Sequence, residues 1–527
     1  MAPRPDQVKT DLLRPGAFAA IAPACSVSLI ETHISWVFVL DRDVLKVKRP
    51  VDLGFLDFRS CEQRRLACEE EVRLNARLAP GVYRGVVPVT LELDGRCVVG
   101  GLGLVVDWAV HMERMSDARR ADHLLGEGQL TPRRIDAIAA TIAEFHRDAR
   151  SDAEVTRLGD PAAIARNVEE NFDQTRSSLG RYLSPQESEE IVRWQTRFVR
   201  DERERFMKRI AQRRIVEGHG DLRLEHVYLE ESGTIRVLDC IEFNERFRYA
   251  DACADIAFLS MDLARAGRVD LAERLLAAYA READDYELYS VVDFYESYRA
   301  FVRGKIAAML ENDGGVEPAA RERAAKEARR YFLLALSRGR PSLVNPIVIA
   351  VGGVIASGKS AVANRLSGEL GAPVIEADRT RKAMLGVPPL RRLEGPAWSG
   401  AYDEPISDQV YAELLRRAAI VVESRRPVIL DASFRSAALR RAARDLAASR
   451  GVPFRLIECR ATPEVCRERL VAREREPSVS DGRLAIFDAF CARFEPIVEL
   501  PPGEHIVLDT TAALDDTVDE LRRRLFD

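Results

Sequence analysis

The sequence predicts a multidomain protein of mixed α+β and α/β class, because three features divide the chain into regions of different pattern. Its 527 residues are too many for one hydrophobic core. About the first hundred residues are rich in strand patterns, and a mostly helical region follows. A Gly- and Pro-containing segment, 337–342, then separates a charged helix from an apolar run. We therefore expect domains at 1–338 and 339–527, the first with a small lobe at about 25–110 and a helical lobe at about 111–338.

Composition excludes several classes of protein. Hydrophobic residues make up 46% of the chain and charged residues 31%, as in ordinary globular enzymes. The net charge of −5 disfavours nucleic acid as a partner, although a basic cluster such as Arg379–Lys382 could bind phosphate. The sequence has no apolar run long enough to span a membrane, and its nine cysteines have no paired spacing. We expect a cytoplasmic monomer or homodimer with no membrane partner.

The small lobe begins with a predicted β-hairpin. Trp36–Leu40 and Val44–Lys48 are apolar runs joined by a short polar turn. A helix is predicted from Arg59 to Leu78, with Leu66, Val72, Leu74 and Leu78 on its apolar face. Further strands are expected at Val86–Val89 and Val98–Val106.

The strongest motif lies after the predicted domain boundary. Ile347–Val351 reads as a buried strand, and the loop that follows fits GxxxxGK[ST] from Gly353 to Ser360, with a helical run beginning at Ala361. Glycines in such a loop allow successive N–H groups to face phosphate, at the positive end of the helix. The motif predicts a P-loop NTPase domain, a parallel sheet flanked by helices, that binds ATP and Mg²⁺. Its candidate ligand-binding residues are Gly353, Ser357, Gly358, Lys359 on the β/γ-phosphates, and Ser360 on the metal.

Carboxylates follow two further predicted strands. Asp378 ends the run 373–378 and could accept a proton from a hydroxyl group, or could simply cap the next helix. Arg381 could hold an anionic group of a substrate. Asp431 ends the strand 427–431, where it could lie beside the metal. Arg473 and Arg475 could close over phosphates as a lid, or could belong to a solvated helix face.

Together these motifs resemble the small P-loop kinases that phosphorylate hydroxyl groups, such as gluconate kinases, polynucleotide 5′-kinases and zeta-toxin-like enzymes. The resemblance covers residues 345–527. It implies that Asp378 is the general base and that Arg381 contacts a substrate phosphate.

The N-terminal region has a motif of its own. Asp221 lies in the run His219-Gly-Asp-Leu, and a short strand leads to Asp239, eighteen residues after Asp221. Two such carboxylates can divide the work of phosphoryl transfer, one accepting a proton and the other holding Mg²⁺. His219 as a packed core residue and Asp239 as a turn residue are the alternatives.

The motif resembles the catalytic loop of aminoglycoside phosphotransferases and their protein-kinase-like relatives, over most of residues 30–335. The resemblance implies a bilobal protein-kinase-like fold in which Asp221 is the catalytic base and Asp239 holds the metal. Lys46 would bind the α/β-phosphates with Glu71 as its partner, although Lys48 lies on the same face of the strand. The segment 107–112, ending at Met112, would lie beside the adenine.

Two features depart from that family or leave its substrate open. His226 stands where the family usually has asparagine, and imidazole is a poor Mg²⁺ ligand. A polycationic acceptor would need an acidic pocket, for which the candidates are Glu242, Glu245, Asp251, Asp255 and Asp262.

The whole chain resembles bacterial bifunctional aminoglycoside phosphotransferase/ATP-binding proteins. We expect two tandem ATP-dependent kinases that act on hydroxyl groups of small molecules. One alternative is a single active C-terminal kinase regulated by an N-terminal pseudokinase. Another is a kinase that acts on nucleic-acid ends or on a nucleotide sugar.

Overall fold

A computed structural model describes residues 5–22, 24–52, 54, 56–313, 316–336, 339–393, 395–475, 477–511 and 521–525. Ser337 and Arg338, at the predicted domain boundary, lie outside the described residues. The chain folds as two compact units: Met1–Thr131 with Glu144–Arg166 and Phe206–Asp262, and Pro132–Ala143 with Asn167–Arg205 and Leu263–Asp527. No helix in the described part of the chain is long and apolar enough to cross a membrane.

The first unit contains a six-stranded antiparallel sheet, which confirms the strand-rich small lobe. Helix α1 (Pro5–Asp11) precedes it, and its strands have the order β1-β2-β3-β6-β4-β5. They are β1 (Ser28–Glu31), β2 (Ser35–Val39), β3 (Asp43–Lys48), β4 (Tyr83–Leu91), β5 (Cys97–Val99) and β6 (Leu104–Glu113). In the predicted hairpin, β2 pairs with β3, with Val37 opposite Lys46 and Ser35 opposite Lys48.

Helix α2 (Cys61–Asn75) packs on this sheet and has a polar buried face. Ser60 caps it through a capping box with Gln63. The predicted apolar face was partly wrong, because Leu66 is 51% exposed whereas Leu74 is buried. The helix instead buries Arg64, which donates to Asp107 at 2.8 Å, and Glu71. Paired charges replace much of the expected apolar contact.

The rest of the N-terminal region is mostly helical, as predicted. Two small antiparallel sheets interrupt it: β7 (Ile215–Glu217) with β10 (Tyr249–Asp251), and β8 (Val227–Leu229) with β9 (Ile235–Val237). The helices are α3 (Ala121–Gly126), α4 (Pro132–Asp148), α5 (Ala153–Arg157), α6 (Pro161–Thr175), α7 (Pro185–Asp201), α8 (Arg203–Ala211), α9 (Glu245–Arg248), α10 (Ala252–Arg265), α11 (Val269–Glu282), α12 (Val292–Asn312) and α13 (Pro318–Ala335).

The C-terminal part of the second unit is a five-stranded parallel sheet flanked by helices, which confirms the predicted α/β domain. Its strands, in the order β12-β13-β11-β14-β15, are β11 (Val348–Gly352), β12 (Val374–Glu376), β13 (Val428–Asp431), β14 (Phe454–Arg460) and β15 (His505–Asp509). Its helices are α14 (Lys359–Leu370), α15 (Ala377–Met384), α16 (Glu404–Glu423), α17 (Ala437–Ser449), α18 (Pro463–Arg473) and α19 (Phe487–Ala492). Parallel strands place their carboxyl ends at one edge, where ligands bind in such sheets.

A buried ionic cluster joins α11 and α12 to this α/β domain. Arg426 lies 3.0 Å from Glu273 and 2.9 Å from Asp293, and Arg340 lies 2.9 Å from Glu273. Buried charges are stable only when they are paired in this way. The cluster ties α11 and α12 to the α/β domain within the second compact unit.

Candidate active sites

Two lysines of β3 lie on the same face of the strand, as their spacing predicted, and both contact Glu71. Lys46 Nζ lies 2.6 Å from Asp239 Oδ1 and 2.9 Å from Glu71 Oε1. Lys48 is completely buried and is paired with both Glu71 and Glu242. Lys46 therefore has the contacts expected of a phosphate-binding lysine, whereas Lys48 holds the strand to its buried neighbours.

Asp239 is the exposed member of this group of charged residues. Its side chain is 50% exposed, and its backbone is left-handed with φ +65°, an uncommon conformation for a non-glycine residue. Desolvation alone would raise its pKa, but the charges of Lys46 and His226 hold the pKa well below the usual range. The carboxylate is therefore ionised at neutral pH, as a metal-binding aspartate must be.

The loop that carries Asp221 is fixed by a buried histidine and a buried carboxylate. His219 Nε2 donates to Leu238 O at 2.9 Å, and its Nδ1 accepts from the backbone N–H of Asp221 at 3.3 Å. Burial lowers the pKa of His219 to about 4, so the ring is neutral. Asp255 accepts from the backbone N–H groups of His219 and Gly220 at 2.6 and 2.9 Å. His219 is thus a packed structural residue, and it orients the loop.

The structure brings Asp221, His226 and Asp239 together. His226 Nδ1 donates to Asp221 O at 2.8 Å, which directs Nε2 toward Asp239 Oδ2, 3.8 Å away. His226 Nδ1 is also 3.9 Å from Asp221 Oδ2. Among the described residues no three His, Cys, Asp or Glu side chains form a ready metal-binding group. A metal here would take two protein ligands and complete its shell from nucleotide phosphates, the usual arrangement for Mg²⁺.

The carboxylates that were candidates for an acidic pocket have partners within the fold. Glu242 is buried against Lys48, and Asp251 lies 2.6 Å from the buried Arg209. Asp262 accepts from Leu224 N at 3.2 Å, while Glu245 accepts from the Tyr249 hydroxyl at 3.3 Å. Glu242 therefore supports β3, and these residues give no evidence for a polycationic acceptor.

The predicted hinge residue Met112 is also buried. It lies in β6 and packs in an apolar cluster with neighbours that include Cys68, Val82 and Val110. Strand β6 ends one residue later, at Glu113.

The second site is formed by the P-loop between β11 and α14. Gly353 has φ +139°, and a Cβ there would lie 2.5 Å from Cys459 O. Gly358 has φ +87°. Both positions therefore require glycine. Ser357 Oγ is buried and has no hydrogen-bond partner among the described residues, which is consistent with a loop built for a ligand.

Lys359, Ser360 and Asp431 lie side by side at this loop. Lys359 Nζ donates to Val354 O at 2.7 Å. Burial lowers the pKa of Lys359, although the Asp431 charge opposes this. Burial raises the pKa of Asp431 to about 6, and this rise is limited by Lys359 and by a hydrogen bond from Ser360. Ser360 and Asp431 are the oxygen ligands that a Mg²⁺ ion would use here.

A cavity of about 760 Å³ extends from the P-loop to the predicted acceptor residues. Its lining includes Lys359, Asp378, Arg381 and Arg473, which the sequence predicted. Arg475 is exposed and is not among the lining residues, because the chain has left α18 before it. Asp378 lies in the first turn of α15, and its Oδ1 is 3.2 Å from the Tyr402 hydroxyl.

Among the lining residues that the sequence did not predict are Tyr402, Trp398 and Arg435. Tyr402 lies beneath Arg381, whose guanidinium carbon is 4.3 Å from the ring centroid. The guanidinium carbon of Arg435 lies 4.3 Å from the ring centroid of Trp398. These side chains come from segments with no motif, so only the folded chain identifies them. Sequence could have shown at most the unusual density of arginine and aromatic residues around the site.

Family models match both parts of the chain. Residues 55–295 match the model described as Phosphotransferase enzyme family, and residues 348–497 match the model described as AAA domain. The protein thus joins a phosphotransferase domain to a P-loop kinase domain, and it is an ATP-dependent phosphotransferase. This confirms the resemblance on which the sequence prediction rested.

The chain also has full-length relatives. Uncharacterized protein Rv2004c of Mycobacterium tuberculosis is 32% identical over 467 residues, 89% of this chain and 90% of that protein. Uncharacterized protein Mb2027c of Mycobacterium bovis has the same values. The chain belongs to the family of these mycobacterial proteins.

Solved structures similar to this chain cover about a third of it. A gluconokinase from Sinorhizobium meliloti 1021 is 23% identical, with TM-score 0.26, covering 35% of this chain and 93% of its own. The APS kinase CysC of Mycobacterium tuberculosis, in complex with AMPPNP and APS, is 20% identical, with TM-score 0.25, covering 36% and 100%.

Proposed function

We propose that the protein is a tandem kinase in which each domain transfers the γ-phosphate of ATP to a hydroxyl group of a small molecule. The observation that carries the proposal for the P-loop domain is its cavity. The same cavity is lined by the phosphate-binding residues Lys359 and Ser360 and by Asp378. Donor and acceptor can therefore be held together, which is most of what a kinase must do.

In the P-loop domain, the loop N–H groups and Lys359 hold the ATP phosphates, and Arg473 approaches them from α18. Mg²⁺, held by Ser360 and Asp431, would neutralise phosphate charge. Asp378 accepts the proton of the acceptor hydroxyl while the oxygen–phosphorus bond forms. The bond from the γ-phosphorus to the bridging oxygen breaks, and ADP leaves.

In the N-terminal domain, Lys46 would hold the α/β-phosphates and Asp221 would accept the acceptor proton. Asp239 and His226 would hold the metal. One feature favours the second candidate, a nucleotide-binding pseudokinase, since His226 offers nitrogen where Mg²⁺ prefers oxygen.

Replacing His226 by asparagine tests whether this residue weakens metal binding in the N-terminal domain. We expect His226→Asn to lower the Mg²⁺ concentration for half-maximal activity of the first domain about tenfold, the scale of a change in metal surroundings. The measurement is a Mg²⁺ titration of labelled phosphate transfer, with a parallel titration of ATP binding, in a chain whose P-loop domain is silenced by Lys359→Ala. Unchanged titrations would show that His226 does not limit the metal site.

The P-loop cavity further supports an acceptor that carries an anionic group. Arg381 is 4% exposed, and its Nε has no hydrogen-bond partner within the described residues. Its Nη1 donates to Ala401 O at 2.6 Å and to Ser407 Oγ at 3.5 Å, and its guanidinium group lies over the Tyr402 ring as that of Arg435 lies over the Trp398 ring. Two guanidinium groups that line one cavity and lie against neutral neighbours suit a carboxylate or phosphate group of the acceptor.

Arg381→Met tests the anionic acceptor. At an acceptor concentration below saturation, we expect the rate of labelled transfer into a small-molecule extract to fall about tenfold, because one charge-assisted hydrogen bond is lost. The KM for ATP should stay the same. Arg441→Met, an exposed arginine of α17, is the matched control. Equal transfer by both variants would contradict an anionic contact at Arg381.

A further inference from the structure

The phenol of Tyr402 lies between two carboxylates of the P-loop cavity. Its oxygen is 2.7 Å from Asp481 Oδ2 and 3.2 Å from Asp378 Oδ1. The three residues come from separate segments: Asp378 from α15, Tyr402 from the turn before α16, and Asp481 from the loop after α18. A phenol has one proton, so it can donate to only one of the two carboxylates at a time.

Surrounding groups determine which carboxylate receives that proton. Asp481 is 6% exposed, and its Oδ1 lies 3.1 Å from Lys382 Nζ and accepts from Leu393 N at 3.0 Å. Lys382 is itself completely buried and donates to two backbone carbonyl groups. The Asp481 side chain is thus held in place by Lys382 and Leu393, and it faces the phenol at the shorter distance. Tyr402 therefore donates to Asp481, and an oxygen lone pair remains toward Asp378.

The ring of Tyr402 is held in this orientation. Arg381 lies over its face, with the guanidinium carbon 4.3 Å from the ring centroid. Burial, together with Asp378 and Asp481, places the pKa of Tyr402 far above its ordinary value. The phenol stays neutral throughout the working pH range, so it can act as a hydrogen-bond relay but not as a base.

We propose that Tyr402 is the positioning residue of Asp378 in the P-loop domain, an inference that rests on the proposed kinase function. When Asp378 takes the proton of the acceptor hydroxyl, its new O–H donates to the Tyr402 oxygen, whose own O–H already donates to Asp481. When Asp378 is protonated, its O–H and the O–H of Tyr402 therefore each have an acceptor. Tyr402 thereby stabilises the state that Asp378 reaches during transfer and fixes the direction of its carboxyl group.

The test uses the full-length chain with Asp221→Asn, so that the first domain is silent, and follows labelled phosphate released from γ-labelled ATP with water as the acceptor. We expect Tyr402→Phe to lower kcat about tenfold, which corresponds to a typical interaction free energy between two contacting residues. The KM for ATP should not change, because Tyr402 acts on the proton and not on the nucleotide. Tyr286→Phe is the matched control, since that buried hydroxyl donates to Val374 O at 2.7 Å and lies outside the cavity lining.

A double substitution separates positioning from a general structural role. In a chain that already carries Asp378→Asn, we expect Tyr402→Phe to change turnover less than twofold, because residues that act as a unit are not additive. An equal loss in both backgrounds would overturn the inference, as would a Tyr402→Phe chain with full turnover. If Asp378→Asn itself leaves turnover unchanged, the proposed base is wrong and the inference falls with it.

Discussion

Lys359→Ala is expected to abolish phosphate transfer by the P-loop domain, with a loss of at least about a hundredfold, the effect of removing one preorganised charge at a reacting group. Lys359 stands at the start of α14, where its ammonium group can reach the β/γ-phosphates. Its removal also leaves the buried Asp431 without the positive charge that opposes the rise in its pKa. The measurement is label transferred from γ-labelled ATP to a small-molecule extract.

The control for this variant is Lys326→Ala. Lys326 is an exposed residue of α13, paired with Glu322 at 2.8 Å, and surface pairs of this kind contribute little to stability. We expect its variant to match the wild-type protein. Full transfer of the P-loop product by Lys359→Ala would contradict the assignment of the phosphate site.

Asp221→Asn is expected to remove transfer by the N-terminal domain, by about a hundredfold or more, as for the loss of a general base. Asparagine keeps the shape of the side chain but cannot accept the proton. The buried hydrogen bonds from His219 and Gly220 to Asp255 do not involve the Asp221 side chain, so the loop should keep its structure. The same labelled extract reports the loss, and a thermal unfolding curve verifies the fold.

Asp94→Asn is the matched control for Asp221→Asn. Asp94 is an exposed turn residue of the same unit, where its Oδ1 accepts from Arg96 N at 3.0 Å. Its substitution should leave both products unchanged. An N-terminal product that survives Asp221→Asn would show that another group accepts the proton.

Local patterns in the sequence supplied the candidate phosphate-binding residues of each site. The two-residue spacing of Lys46 and Lys48 placed them on one face, and the GxxxxGK[ST] spacing placed Lys359 and Ser360 at a helix start. Such rules hold because neighbouring residues share one strand or one loop. They could not decide between Lys46 and Lys48, which required the partners Asp239 and Glu242 from distant segments.

On the acceptor side, the sequence suggested Asp378 and Arg381 but not the residues that contact them. Tyr402 and Asp481 are separated by 79 residues, and no motif joins them. The candidate acidic pocket shows a related limit, because a carboxylate in a sequence does not reveal its partner. Asp251, for example, is neutralised by Arg209, from a helix 42 residues earlier.

The boundary at residue 338 stays a prediction. A segment with glycine and proline marks where a helix ends, but compact units are defined by packing. The buried pairs of Arg426 with Glu273 and Asp293 place α11 and α12 in the same unit as the P-loop domain.

The most direct test of two working kinases in one chain is a side-by-side assay of wild type, Asp221→Asn and Lys359→Ala. Each is given γ-labelled ATP, Mg²⁺, a fractionated small-molecule extract and, separately, an RNA pool. The account predicts two labelled small-molecule products, one lost in each variant, and no labelled RNA. A single product that is lost only with Lys359→Ala would contradict it and would make the N-terminal domain a nucleotide-binding regulator.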